Sequence, residues 1–297
     1  VSRLNKLGAE VDVIMTKNAM EFVTPLSFQT LSKRPCVFDT FKMAQPFELE
    51  HISLAKKASL FIVAPATANI IAKMAHGLAD DLLSTTLLAT RAKILLAPAM
   101  NVNMLMHPAT QENIETLKRR SVHIIEPEEG ILACGDIGKG RMAEPEEIIN
   151  HIEYALTDKD LEGLSVLVSA GASLEEIDPV RYISNYSSGK MGYALARRAY
   201  MRGARVSLVS GRSQEKIPFG VDFTRIKSTE ELKDCLLKKA ESSDIVIQAA
   251  APCDFRPKNR QNSKIKKDGS KKMLLELVEN DDIARLLAQK KQGKQVL

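Results

Sequence analysis

Short apolar runs recur along the first half of the chain, at Val11 to Met15, Ser59 to Ala64, Lys93 to Ala97 and Val122 to Ile125. Between them lie stretches with helical spacing, at Ile70 to Met74, Asp80 to Thr90 and Thr110 to Arg119. Buried strands alternating with amphipathic helices predict a parallel sheet covered by helices, an α/β architecture. A second series begins at Leu164 to Val168 and continues through Arg205 to Val209 and Asp244 to Ala250. The two series are separated by a charged helix within Glu146 to Leu161 and the polar turn TDKDLEG, which places a boundary near Asp158 to Gly163. Two domains are therefore expected, 1–160 and 163–297, each long enough to bury a core of its own.

The ends fit this pattern only in part. The opening VSRLNKLGAEVDVIMT reads as the close of a helix that stops at Gly8, followed by a strand. A doubly wound domain should place a strand and a phosphate-binding turn before that helix, and the final GKQVL breaks off as an apolar strand begins. Residues are expected to be missing at both ends.

The stretch from Ser169 to Gly192, SAGASLEEIDPVRYISNYSSGKMG, is too polar and too rich in small residues to be core. It follows an apolar strand and runs into a helix at Met191 to Met201, so it lies at the carboxyl edge of a parallel sheet, where ligands bind. A glycine-rich turn at a helix N-terminus also offers backbone N–H groups to phosphate. Generic nucleotide motifs do not fit. A P-loop needs glycine where Ser184 stands and Ser or Thr where Met191 stands, and Gly171, Gly189 and Gly192 do not space as a dinucleotide fingerprint.

Composition narrows the chemistry. Hydrophobic residues make up 44% and charged residues 27% of 297, as in a soluble globular protein. No apolar run approaches the roughly 20 residues of a membrane helix, and no secretory signal opens the chain, so a cytoplasmic location is expected. Cys36, Cys134, Cys235 and Cys253 show no CxxC spacing and no neighbouring histidine, which argues against a zinc site or a disulfide framework. The net charge is +5, yet Arg256 to Lys272 holds eight Lys or Arg against Asp268 alone, or +7. The remainder carries about −2, which argues against a nucleic-acid-coating face and for one compact anionic ligand. A solvated basic loop is the competing reading.

Three motifs stand out in the first half. His51, in ELEHISLAKKA, opens a short amphipathic helix, whose positive end keeps the imidazole neutral and available as a base; a packed or surface histidine is the alternative. Asn101 and Asn103 lie in APAMNVNM just after a strand, where an amide can hold a carboxylate without adding charge; turn formation after Pro98 is the alternative. Cys134 sits in ACGDIGKGRM among Gly135, Gly138 and Gly140, and a thiol of pKa about 8.5 can give a proton to a carbanion or enethiolate; a buried inert thiol is the alternative, opposed by the three glycines.

In order and spacing, these motifs resemble the bifunctional phosphopantothenoylcysteine decarboxylase/phosphopantothenate–cysteine ligase family of coenzyme A biosynthesis. The likeness runs through the whole chain. For the first half it implies a Rossmann-like, three-layer, flavodoxin-type domain that uses FMN to oxidise the cysteinyl thiol of 4′-phosphopantothenoylcysteine. The resulting thioaldehyde loses CO2 to an enethiolate and is then reduced. By motif, His51 would be the base near the flavin, Asn101 would hold the substrate carboxylate and Cys134 would donate the proton. Met104 would line the pocket. Thr67 and Asn69, in APATANIIAKMAHGLADDLL, and Thr16 would contact the flavin.

DPVRYISNYSSGKMG resembles the ligase signature nearly end to end. It implies a second Rossmann-like domain in which 4′-phosphopantothenate attacks the α-phosphate of CTP, with Mg2+ present, to give an acyl-cytidylate. The amine of cysteine then displaces CMP. By motif, Asn185 would contact the acyl intermediate and Lys264, in KIKK, the nucleotide. Asp254, in AAPCDFRP, would lie in the nucleotide pocket, and the backbone of Gln248, Ala249 and Ala250 would meet the cytosine. The NDDI turn, Asn280, Asp281, Asp282 and Ile283, would complete that pocket, with helix capping as the alternative. PCD and NDDI depart from the family's commoner VAD and NPDI. The resemblance further implies dimers through the ligase half and a trimer-based decarboxylase assembly, with no nucleic-acid or membrane partner. A regulatory paralogue without catalysis is opposed by His51, Asn101, Cys134, Asn185 and Lys264 all being present. An NAD-dependent reductase is opposed by the missing fingerprint.

Overall fold

A computed structural model of the chain describes residues 1–40, 50–131, 137–267 and 272–297. Its contacts divide into two compact units, Val1–Leu156 and Thr157–Leu297. Among the described residues no helix is long and apolar enough to cross a membrane.

The first unit runs α1 (Ser2–Lys6), β1 (Val13–Ile14), α2 (Lys17–Met20), α3 (Pro25–Ser32), β2 (Cys36–Val37), α4 (Glu50–Lys57), β3 (Leu60–Ala66), α5 (Ala68–His76), α6 (Leu82–Ala89), β4 (Lys93–Pro98), α7 (Val102–Met106), α8 (Pro108–Arg119), β5 (His123–Ile124), β6 (Glu128–Ile131), β7 (Ile137–Arg141) and α9 (Pro145–Leu156). Strands β3, β4 and β5 form a parallel sheet in that order, and β1 pairs with β2, also parallel. Leu95 and Leu96 are adjacent, yet they pack into different clusters, Leu96 with Ile70, Ile71 and Leu117, Leu95 with Ile125, Ile148 and Ile152. Both faces of β4 are thus covered, giving three layers, and this is why β4 is a continuous apolar run instead of an alternating one. Fully burying a side chain such as Leu96, 0% exposed, contributes about 1.5–3 kcal/mol.

Local chemistry sets the helix starts. Asp81 and Ser84 form a reciprocal capping box at α6, with Ser84 N donating to Asp81 Oδ1 at 2.7 Å. Pro108 at the first turn of α8 follows His107, whose Nδ1 accepts from Ala109 N at 3.2 Å. Strands β6 and β7 pair antiparallel, a ribbon that the glycine-rich sequence did not predict. The expected strands at Val11 to Met15 and Val122 to Ile125 shorten to two paired residues each. The helix expected within Glu146 to Leu161 stops at Leu156.

The second unit runs β8 (Ser165–Ala170), β9 (Leu174–Glu176), β10 (Tyr182–Ser184), α10 (Lys190–Met201), β11 (Arg205–Ser210), β12 (Asp222–Arg225), α11 (Thr229–Ala240), β13 (Ile245–Gln248), β14 (Phe255–Pro257), β15 (Leu277–Glu279) and α12 (Ile283–Lys290). Its main sheet is parallel, in the order β12-β11-β8-β13. Along β8, Val166, Val168 and Ala170 enter one core cluster and Leu167 the other, so this sheet too is covered on both faces. From β8 the chain proceeds to β11 and β12 on one side and later returns to β13 on the other. The switch point lies between the carboxyl ends of β8 and β13, where such sheets form a crevice. Two antiparallel ribbons, β9 with β10 and β14 with β15, extend from those ends.

Candidate functional site

In the first unit, three turns meet at the carboxyl edge of the sheet. Ala99 N donates to Ala66 O at 3.0 Å, and Met100 N donates to Gly140 O at 3.0 Å. The PAMNVNM turn is therefore tied on one side to the end of β3, just before Thr67, and on the other to β7 of the glycine-rich ribbon. Gly138 lets β7 approach α7 closely, since a Cβ there would lie 3.3 Å from Val102 Cγ2. Asn101 caps α7, its Oδ1 accepting from Asn103 N at 2.8 Å, which fixes the amide's rotation. Met104 follows on the same helix, 50% exposed.

Thr67 and Asn69 are exposed at the start of α5, and the Thr67 hydroxyl makes no capping bond. Thr16 directly follows the β1 region and caps α2, accepting from Ala19 N at 3.2 Å. Hydroxyl, amide and helix-start N–H groups are each of a kind that suits a ligand combining a phosphate with ring carbonyls, as FMN does, but no described hydrogen bond joins Thr16 to Thr67 or Asn69. His51 lies in the first turn of α4, which packs on α6, whereas α7 packs on α8 and β7. No described hydrogen bond joins His51 to Asn101. Cys134 lies outside the described residues.

In the second unit the site forms at the switch point. Asn185 follows β10, and its Nδ2 donates to Ala251 O at 3.2 Å and Pro252 O at 2.9 Å. The amide thus holds the loop after β13 and leaves Oδ1 as an acceptor without a partner among the described residues. That loop is also fixed from beneath. Cys253 N donates to Ser173 Oγ at 2.9 Å, Ser173 Oγ meets Thr229 Oγ1 at 2.8 Å, and Thr229 N donates to Glu175 Oε1 at 2.8 Å. Cys253 is buried, and burial pushes its thiol up, away from thiolate. The cysteine of PCD is accordingly a packing residue, and the neighbouring Asp254 is exposed.

Strand β13 ends at Gln248, short of the expected Ala250. Ala249 N and Ala250 N instead donate to Ser169 O and Ser169 Oγ, both at 3.2 Å. With those N–H groups spent, Ala249 and Ala250 have only their carbonyls left to offer a ligand. The Gln248 Oε1 is buried without a partner among the described residues, an acceptor whose desolvation costs about 1–3 kcal/mol until a donor reaches it.

Over residues 256–267 the basic cluster separates into two groups. Arg256 donates to Glu279 O and Asn280 Oδ1, both at 2.9 Å, Lys258 pairs with Glu276 at 2.6 Å, and Arg260 pairs with Glu176 at 2.6 Å. Lys264, Lys266 and Lys267 have no such partner among the described residues. Lys264 and Lys266 line an open concavity with Gln261, Ser263 and Ile265. Their loop is fastened to the turn that leads into Asn185: Gln261 N donates to Ile177 O at 2.9 Å and Ile265 N to Asp178 Oδ2 at 3.1 Å. Burial alone would raise Asp178, but the Arg181 guanidinium and the N–H groups of Ile265, Val180 and Arg181 outweigh it and hold the carboxyl well below the usual range.

The NDDI turn is largely structural in its side chains. Asn280 Nδ2 donates to Cys253 O at 2.8 Å, Asp281 pairs with Lys233 at 2.9 Å, and Asp282 caps α12 through Arg285 N at 3.0 Å. Ile283 is 2% exposed and faces the core with Leu232 and Leu236. Asn280 N donates to Asp254 O at 2.8 Å, so the turn braces the Asp254 loop from the other side. Sequence reasoning missed Asp178; its one local signal was an acidic residue before proline in a motif otherwise read for Asn185.

Residues 1–157 match the Flavoprotein family, and residues 161–297 match the DNA/pantothenate metabolism flavoprotein C-terminal domain. The coenzyme A biosynthesis bifunctional protein CoaBC of Bacillus subtilis (strain 168) is 48% identical over 295 residues, 98% of this chain and 72% of that protein. The chain belongs to that family. The protein of the same name from Vibrio vulnificus (strain YJ016) is 47% identical over 282 residues, 95% of this chain and 70% of its own length. Among solved structures, the FMN-dependent cysteine decarboxylase SpaF aligns with a TM-score of 0.46 and 30% identity, over 52% of this chain and 85% of that one. As a member of the CoaBC family the chain is an enzyme of coenzyme A biosynthesis, with a decarboxylase half and a ligase half.

Proposed function

We propose that residues 163–297 join 4′-phosphopantothenate to cysteine at the expense of CTP, and that residues 1–160 decarboxylate the product to 4′-phosphopantetheine. The observation that carries the ligase reading is the partition of the basic cluster. Among the described residues 256–267, three cations are spent on fixing the loop and three have no partner, beside the turn into Asn185, and this suits a triphosphate. Lys264 and its neighbours attract and hold the polyphosphate while the substrate carboxylate attacks the α-phosphorus and pyrophosphate leaves. Asn185 faces the acyl-cytidylate with its Oδ1, which has no partner among the described residues, and the cysteine amine then attacks the acyl carbon as CMP departs. The carbonyls of Ala249 and Ala250 accept from the 4-amino group of cytosine, a donor that uracil lacks.

Mg2+ enters with the triphosphate, whose charge it neutralises as the α-phosphorus is attacked. In the first half, FMN bound at Thr16, Thr67 and Asn69 would supply the two-electron oxidation of the thiol and its later reversal. Asn101, fixed by its cap, holds the substrate carboxylate, His51 takes the thiol proton, and Cys134 returns a proton at the last step. The protein is cytoplasmic, works on small molecules, and assembles as ligase dimers on a trimer-based decarboxylase.

Incubating the protein with FMN, 4′-phosphopantothenate, cysteine and Mg-CTP should release pyrophosphate and CMP, then CO2, with UTP a much poorer substitute. Neither pyrophosphate nor CO2 would overturn the proposal in favour of a catalytically impaired regulatory or binding relative.

A further inference from the structure

Asp178 is a charged side chain at a position to which the ligase reading gives no role. It is 1% exposed, and a buried carboxylate persists only where its charge is fully met. Its two oxygens accept five hydrogen bonds. Oδ1 takes Val180 N and Arg181 N, both at 2.8 Å, and Oδ2 takes Arg181 Nε at 3.0 Å, Arg181 Nη2 at 2.5 Å and Ile265 N at 3.1 Å. The same Arg181 Nη2 donates to Ile265 O at 2.8 Å. The pair therefore grips both backbone groups of one residue, Ile265, which adjoins Lys264.

The grip spans two distant parts of the chain. On one side, Asp178 closes the turn that leads through Arg181 into β10 and Asn185. On the other, it captures the loop that carries Lys264, Lys266 and Lys267, which have no partner among the described residues. A solvated lysine loop without this anchor would sample many positions, and ordering it on a ligand would cost affinity. We propose that Asp178 is a positioning residue for the ligase reaction: with Arg181 it clamps the Ile265 backbone, and so sets the lysine loop against the Asn185 turn before the nucleotide arrives. This rests on the ligase reading above.

An amide cannot reproduce the clamp. In Asp178→Asn one oxygen becomes an NH2 group, which must face donors that previously pointed at an acceptor, whether Arg181 and Ile265 on one side or the two N–H groups on the other. The test is a double-mutant cycle read by equilibrium binding of Mg-CTP and by pyrophosphate release. Asp178→Asn should weaken CTP binding about tenfold or more. In a background with Lys264, Lys266 and Lys267 all changed to Gln the same change should cost no more than about twofold, because a residue that acts through the lysine loop has little left to lose once its lysines are gone. Losses that multiply in that combined variant, or no loss in Asp178→Asn alone, would overturn the inference.

Amide hydrogen exchange on the unaltered protein guards against a variant that fails to fold. Ile265 should exchange at least a hundredfold more slowly than Lys266 and Lys267, and equal rates would show that the clamp does not exist in solution. The two readings fail separately. Absence of pyrophosphate from the unaltered protein counts against the ligase activity, whereas multiplying losses in CTP affinity count against Asp178 as the positioning residue.

Discussion

Alanine at position 192 challenges the tightest helix-to-strand contact of the ligase half. A Cβ on Gly192 would stand 2.5 Å from the Cβ of Ala170, 2.8 Å from Ser169 O and 3.1 Å from Ala170 Cα. Carbon atoms rest at about 3.5–4.0 Å from one another, so α10 must move off β8 by about 1 Å or the strand must give. Nothing at this contact is a flexible side-chain end. Ala170 is 1% exposed and sits in a strand paired on both sides. Alanine gains at most about 1 kcal/mol over glycine from helix propensity, whereas overpacking a close-packed interior costs about 1–3 kcal/mol. With backbone as the obstacle the upper part of that range applies, leaving a net loss of about 1–2 kcal/mol. For a unit of this size that lowers Tm by about 3–7 °C, read by calorimetry as the transition of the ligase unit. Because α10 begins at Lys190, directly after the Asn185 turn and Gly189, the displacement should also weaken CTP binding. Ala194→Gly on the exposed side of the same helix calibrates the propensity term and should cost about 1 kcal/mol. A Gly192→Ala protein as stable as the parent would refute the close packing of α10 on β8.

Two further outcomes follow from the electrostatics. Lys264→Gln should slow pyrophosphate release about tenfold to a hundredfold while leaving Tm within about 1 °C, because no described group depends on that ammonium; an unchanged rate would reduce Lys264 to surface charge. In the first unit, His123 Nε2 and His151 Nδ1 lie 2.7 Å apart, and His151 is pulled down to about 4, chiefly by burial and then by His123. The folded state thus leaves His151 neutral while the unfolded chain protonates it below about pH 6.5, so the unfolded state binds more protons and stability falls with pH between about 6.5 and 4. Allowing for solvent screening at a partly exposed pair, about 1 kcal/mol should be lost at pH 5. His151→Gln should flatten that slope, and an unaltered slope of Tm against pH would count against the pair as its source.

The readable parts of the chain are those whose cause is local. Strands β4 and β8 are covered on both faces, so their apolar runs are continuous and announce themselves. The Asp81–Ser84 box and the Asn101 cap likewise sit within three residues of the groups they satisfy. The antiparallel ribbons are different. Strands β9, β10, β14 and β15 are three residues each, too short to display a period of two. Asp178 is harder still, since its partner Ile265 lies 87 positions away and DPVR in isolation reads as a turn. The basic cluster shows the same limit. Its total charge is plain from composition, but composition cannot tell Arg256, Lys258 and Arg260, which the fold consumes, from Lys264, Lys266 and Lys267, which have no partner among the described residues. The NDDI turn gives the complementary lesson, because Asn and Asp suit a pocket and a cap equally well, and only the contacts to Cys253, Lys233 and Arg285 show how they are used. A ligand-binding site is defined by the polar groups that remain after folding has paired the others. That subtraction depends on contacts between distant segments, so the sequence could name the candidates without ranking them.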